Sequence, residues 1–196
     1  MTWNEIQIES LKKMFLNKDI LIQTDLEKYK KDKKYKTYLD AMPQACNEAI
    51  NYIIEREPII KNYKLSKSED NYIYDLKTLI TDYKNFFNID SEIPVIWNLM
   101  TKNLLKIGGW VKGDIYILYS SYPQKISDKT SGDYEIELEE SLVRIIPLYI
   151  AGELYKDDDL TLSTMYMNEF MNNLNNLTSS DNFVNNTIQS IYRMEI

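Results

Sequence analysis

Apolar residues recur at helical spacing in two neighbouring runs towards the C-terminal end of the chain. Leu142, Val143, Ile145, Ile146, Tyr149, Ile150 and Leu154 form the first, an apolar face wide enough for a buried helix. Leu160, Leu162, Met165, Met167, Phe170, Leu174 and Leu177 form the second. The acidic turn Lys156–Asp159 separates them, so the pattern predicts a helical hairpin over 139–177. Pro147 lies inside the first run. It lacks a backbone donor and costs roughly 3 kcal/mol in a helix interior, so it predicts a kink or the true start of that helix. Asp157, Asp158 and Asp159 precede the second run, where a carboxylate can accept from free N–H groups and complement the helix dipole. A metal site is the sharper alternative, but three consecutive carboxylates point in different directions and lack the alternating register of a calcium loop.

The same periodicity opens the chain. Thr2 followed by Glu5 is a capping-box pattern, and Trp3, Ile6, Ile8, Leu11, Met14 and Phe15 predict a helix over Trp3–Asn17. A connection of mixed polarity is expected over Lys18–Leu26. Six lysines then fall between Lys28 and Lys36 against one aspartate. Such a run is either a solvated helix or loop or a phosphate-gripping patch, with Tyr29 and Tyr35 placed to stack on bases. Pro43, placed at the first turn of a new helix, is followed by Ala45, Cys46, Ala49, Ile50, Ile53 and Ile54 at helical intervals, ending at Glu57-Pro58. Cys46 lies on that apolar face as a small buried hydrophobe, not a nucleophile.

From Pro58 to Leu138 the period changes. Ile59, Ile60, Tyr63 and Leu65, then Tyr72, Tyr74 and Leu76, predict short strands. Residues 78–87 read either as a short helix or as an irregular crossing, and Ile93–Met100 is similarly mixed. Leu104–Ile107 and the run from Asp114 to Pro123 are strands punctuated by glycine turns at Gly108-Gly109 and Lys112-Gly113. Gln124–Asp133 is a loop, and Tyr134–Leu138 alternates as one more strand. Beyond Thr178 a loop-like stretch leads to Thr187, Ile188, Ile191 and Tyr192, a short helix or an added strand in a C-terminal arm. The expected fold is therefore α+β: a helical bundle of N-terminal helices plus the C-terminal hairpin (1–57 and 139–177), an inserted β-rich block (58–138) and an arm (178–196).

Composition narrows the chemistry. The 196 residues contain no histidine, which removes Ser-His-Asp and Cys-His arrangements and most zinc sites. Five glycines form no phosphate-binding loop. No catalytic, cofactor or metal site is therefore expected, and an enzyme of metal-bound carboxylates would need acids converging on one point, which the spacing does not show. A single cysteine gives no disulfide framework. No signal peptide and no membrane span is expected. Net charge is −7, unfavourable to indiscriminate binding of nucleic acid. The sixteen tyrosines, with many isoleucines, lysines and asparagines, read as coding bias of an AT-rich genome at least as much as design.

Three segments carry a resemblance: WNEIQIESLKKMF (3–15), YKTYLDAMPQACNEAINYI (35–53) and above all DYEIELEESLVRIIPLYIAGELYKDDDLTLSTMYMNEFMNNL (133–174). Together they resemble the head-tail connector, or adaptor, proteins of tailed bacteriophages of Gram-positive hosts. That likeness implies a structural, non-enzymatic subunit of the virion neck, assembled in the host cytoplasm as a ring of about twelve copies. It implies contact with the portal protein above, a tail or lower-neck protein below, and transiently with DNA in the channel, but not with membrane. Glu135, Glu137, Glu139, Glu140, Asp157, Asp158 and Asp159 are then candidates for facing the channel, where negative charge keeps DNA from sticking. The alternative is a nucleic-acid-binding accessory protein using Lys28, Lys30, Lys31, Lys33, Lys34 and Lys36 on phosphates.

Overall fold

The computed structural model of the protein describes residues 1–15, 26–67, 72–91, 94–109 and 111–179. The connection expected after Asn17, Trp110 and the arm beyond Ser179 lie outside the described residues. The fold is mixed α+β, with N-terminal helices, two small antiparallel sheets in the middle of the chain, and C-terminal helices that pack together. It divides into two compact units, one formed by residues 1–57 with 124–196, the other by 58–123.

In the helical unit, α1 (Trp3–Met14) opens with the expected capping box: the Glu5 amide donates to Thr2 Oγ1 (3.3 Å) and the Thr2 amide to Glu5 Oε2 (2.9 Å). The next two N–H groups are satisfied by a distant part of the chain, Trp3 donating to the Tyr134 carbonyl and Asn4 to that of Gly132. This corrects the strand expected at Tyr134–Leu138. Apart from one bridge between Thr2 and Glu135 the segment pairs with no strand among the described residues, and its Tyr134 carbonyl serves the free end of α1.

Helix α2 (Leu26–Lys31) is one short turn and a half, and α3 (Lys33–Arg56) follows it, capped by Asp32. Pro43 is therefore not in the first turn of a helix but in the interior of one, ten residues after its start. The polar first turns of α3 are held by aromatic contacts, Phe15 meeting Tyr35 and Tyr38 edge-on at 5.0 and 5.2 Å and Tyr29 meeting Tyr35 at 5.3 Å. Glu57 ends the helix.

The β-unit contributes one short helix, α4 (Leu76–Leu79); after α5 (Glu140–Val143), α6 (Ile146–Leu154) carries Pro147 in its first turn. The proline thus marks a helix start, where a missing N–H costs nothing. Every residue from Ile146 to Gly152 is buried, and α6 packs against α1, α3 and α7 (Leu160–Ser179). On α7 the buried stripe is Ser163, Tyr166, Phe170 and Leu174. Leu160 and Met165, expected on it, are 70% and 48% exposed. Phe170 and Leu174 of the expected stripe are buried, and α7 approaches α6 closely at Gly152, where an added Cβ would lie 3.0 Å from Met167 Cγ and 3.2 Å from the Ser163 carbonyl oxygen.

The second unit holds two three-stranded sheets. In one, β6 (Gly113–Ser121) lies between β1 (Ile60–Lys67) and β3 (Tyr83–Asp90); in the other, β5 (Leu104–Ile107) lies between β2 (Ile73–Asp75) and β4 (Trp97–Leu99). All neighbours are antiparallel. A four-residue helix, α4 (Leu76–Leu79), follows β2 and is capped by Asp75. Leu65, Tyr74, Leu76, Tyr83, Leu105, Ile107, Ile115 and Ile117 belong to one buried cluster. β5 and β6 belong to different sheets, so the chain after Gly108 crosses between them instead of closing a hairpin. Of residues 78–87, expected as a short helix or an irregular crossing, the first two close α4 and the last five open β3. Its register slips between Tyr83 and Asn85 and between Phe86 and Asn88, which breaks the two-residue alternation by which strands are read.

Replacing Gly152 with alanine tests the close approach of α6 and α7. Alanine gains about 0.5–1 kcal/mol of helix propensity over glycine, but crowding backbone atoms of α7 costs about 1–3 kcal/mol. A net loss of about 1 kcal/mol is expected, read as a lower urea midpoint with an unchanged slope; a variant as stable as the parent would remove the close approach.

Candidate functional site

The seven acidic residues singled out in the sequence are all exposed, but they do not form one patch. Glu135, Glu137, Glu139 and Glu140 precede α6 in the chain, and Asp157–Asp159 follow it. Nine residues of helix hold the two groups roughly 14 Å apart along the axis. Several already have local partners. Glu140 pairs with Arg144 one helical turn on (2.6 Å), which holds its carboxyl below the usual range. Glu139 accepts from the Ser141 hydroxyl (2.7 Å). Asp159 Oδ1 accepts from the amides of Thr161 (2.9 Å) and Leu162 (3.0 Å), as expected of a residue capping the following helix. Asp158 accepts from the Tyr38 hydroxyl, and that bond, with burial second, pushes the phenol up to about 12. Among the described residues no three Cys, Asp or Glu side chains converge as a metal cage.

The six lysines lie on α2 and at the start of α3, all exposed. Lys30 pairs with Glu27 at 2.7 Å, and the Lys34 ammonium sits over the rings of Phe15 and Tyr35, 5.0 and 5.8 Å from their centroids. Lys28, Lys31, Lys33 and Lys36 make no ion pair among the described residues. The interleaved tyrosines are not placed for base stacking: Tyr29 is 7% exposed, and Tyr35 is already edge-on to Phe15 and Tyr29. Cys46 is fully buried on α3, and burial pushes its thiol up to about 12, the environment of an inert core residue.

Two features had no clear signal in the sequence. The first is a pair of tyrosines at the C-terminal end of α1. Tyr166 on α7 donates to the Lys13 carbonyl (2.7 Å) and Tyr155, just past α6, donates to the Met14 carbonyl. Their rings are parallel within 7°. Carbonyls that a helix end leaves unpaired are thus satisfied by side chains more than a hundred residues away in sequence. Tyr149 likewise donates to Glu48 (3.3 Å), and burial first, with the charges of Glu153 and Glu48, raises its pKa well above the usual tyrosine value. These tyrosines have particular acceptors and are not explained by coding bias alone. The second feature is a pocket of about 300 Å³ at the start of α1, walled by α3 and by the loop at Ser127–Gly132.

No protein-family model matches the chain, and no curated protein matches it.

The raised phenol and thiol values set a pH dependence. The folded chain holds the protons of Tyr38, Tyr149, Tyr155, Tyr166 and Cys46 more tightly than the unfolded chain does. The stability they contribute is complete below their ordinary values, about 8.5 for the thiol and 10 for the phenols, and is lost as pH rises towards the folded values. The urea midpoint is expected to hold steady between about pH 7 and 8 and then to fall up to pH 12. Tyr38→Phe should shrink the fall above pH 10; an equal fall in the variant contradicts the role of the Asp158 bond.

Proposed function

We propose that the chain is a ring-forming subunit of the head-tail connector of a tailed bacteriophage, joining the portal to the tail and prolonging the channel for DNA. The observation that carries it is the position of the stretch bearing the strongest likeness to connectors. Residues 140–174 supply α5, α6 and most of α7, and α6 is the helix on which α1, α3 and α7 all pack. The β-rich unit leaves and re-enters the helical unit between α3 and α5, which agrees with the helical core and inserted β-domain that the likeness implies. In a closed ring, the acidic groups before and after α6 would each repeat around the axis. Where such a ring of carboxylates faces the channel it repels DNA phosphates, so that DNA slides without being held.

Imaging by negative stain, of the purified protein alone and of the protein mixed with portal, is expected to show closed rings in at least the second sample. A strictly monomeric protein in both, and its absence from the neck of the particle, would sink the proposal.

The second reading, a nucleic-acid-binding accessory protein, is favoured by Lys28, Lys31, Lys33 and Lys36 on α2 and α3, which have neither an ion pair nor a ring contact among the described residues. It requires retardation of DNA or RNA in a gel at low salt that weakens as salt rises and disappears when Lys28, Lys31, Lys33 and Lys36 become glutamate. The exposed lysines carry no packing load, so the variant folds. A mobility unaltered at low salt rules this reading out.

A further inference from the structure

The pocket at the start of α1 holds polar groups without a hydrogen-bond partner among the described residues. Gln7 is 7% exposed, lines the pocket, and its side-chain amide makes no hydrogen bond. Its amide atoms are not among the fully buried ones and so open on the pocket, free to donate and to accept. Asp40 and Asp128, from α3 and the facing loop, also line it, and neither carboxylate has a hydrogen bond or an ion pair. Pro43 stands in the same wall four residues after Leu39, so it returns no N–H to the Leu39 carbonyl. The excess of charge in the wall is negative.

An anion does not fit. The amides of Trp3 and Asn4 already donate to the Tyr134 and Gly132 carbonyls, and that of Glu5 to Thr2, so the N-terminus of α1 has no free donors there to offer. Among the described residues Lys30 is the cation in the wall and is paired with Glu27, which leaves the two exposed carboxylates of Asp40 and Asp128 facing water alone. Trp3, Leu39 and Pro43 supply apolar surface beside them, and an indole face attracts a cation as well as an alkyl chain. The volume, about 300 Å³, is at the small end for ligand sites and suits one side chain or a short amine.

We propose that this pocket receives an organic cation, an alkylammonium or guanidinium group, with its N–H donors directed to Asp40, Asp128 and Gln7 and its stem against Trp3 and Pro43. The inference rests on the helical unit alone and stands or falls independently of the connector reading. The group belongs either to a lysine or arginine of a partner protein or to a free diamine.

Backbone amide shifts of the full ¹⁵N-labelled chain would be followed during titration with N-acetyl-lysine methylamide, N-acetyl-arginine methylamide and 1,5-diaminopentane, each against sodium chloride of equal ionic strength. Saturable shifts centred on Asn4, Gln7 and Thr130 are expected with at least one. Tighter binding of an amino-acid amide assigns the pocket to a partner's side chain, and tighter binding of the diamine to a free amine. The double variant Asp40→Asn with Asp128→Asn, whose exposed positions leave the core intact, should weaken binding about tenfold. Gln7→Leu, which keeps the volume, should weaken it too. No saturable shift with any of the three, or equal affinity in both folded variants, overturns the proposal.

Discussion

The helical unit depends on one requirement: over its first seven residues α6 has no face open to water. Its residues from Ile146 to Gly152 are all buried, and a helix that is apolar all round must be surrounded. Three helices do this, α1 and α3 from the N-terminal part of the chain and α7 from the C-terminal part. Residues far apart in sequence are therefore brought together by a nine-residue segment. Fully burying each of its larger side chains is worth about 1.5–3 kcal/mol. A cavity anywhere along α6 would be felt by three partners at once.

Polar contacts then fix how the surrounding helices meet α6. The two tyrosine hydroxyls on the Lys13 and Met14 carbonyls tie the end of α1 to α7 and to the end of α6. The Gly132 and Tyr134 carbonyls hold the other end of α1. Asn47 on α3 exchanges two hydrogen bonds with the backbone of Ile126, at 2.8 and 2.9 Å. Apolar burial is without direction; these bonds supply the direction, and each leaves a buried backbone group satisfied that would otherwise destabilise the fold.

What could be read from the sequence was local. The Thr2–Glu5 box, the helix start at Pro147 and the cap at Asp159 depend on residues two or three positions apart, and each is where the pattern placed it. The misreadings share a different cause. Pro43 looked like a first turn because nothing nearby announces that Phe15 will stabilise the lysine-rich turns before it. The apolar stripe of α7 holds at Phe170 and Leu174, which are buried, but Leu160 and Met165 are exposed, and hydropathy alone does not separate the two pairs. β3 was obscured by its own bulges. The pocket joins Gln7 to Asp128 across more than a hundred residues, so no window along the chain contains it.

The acidic residues show how structure limits a role assigned from sequence. Charge at Glu140, Asp158 or Asp159 is already used, in an ion pair, in a bond to Tyr38 and in a helix cap. Removing it alters the helices before it alters any surface potential. Glu135 and Asp157 are exposed and their side chains bond to nothing else among the described residues. At these two positions, one on each side of α6, charge can change while the fold does not. Whatever the acidic groups do for passing DNA is therefore separable from what they do for the protein only there, and an effect confined to the other three reports on the helices.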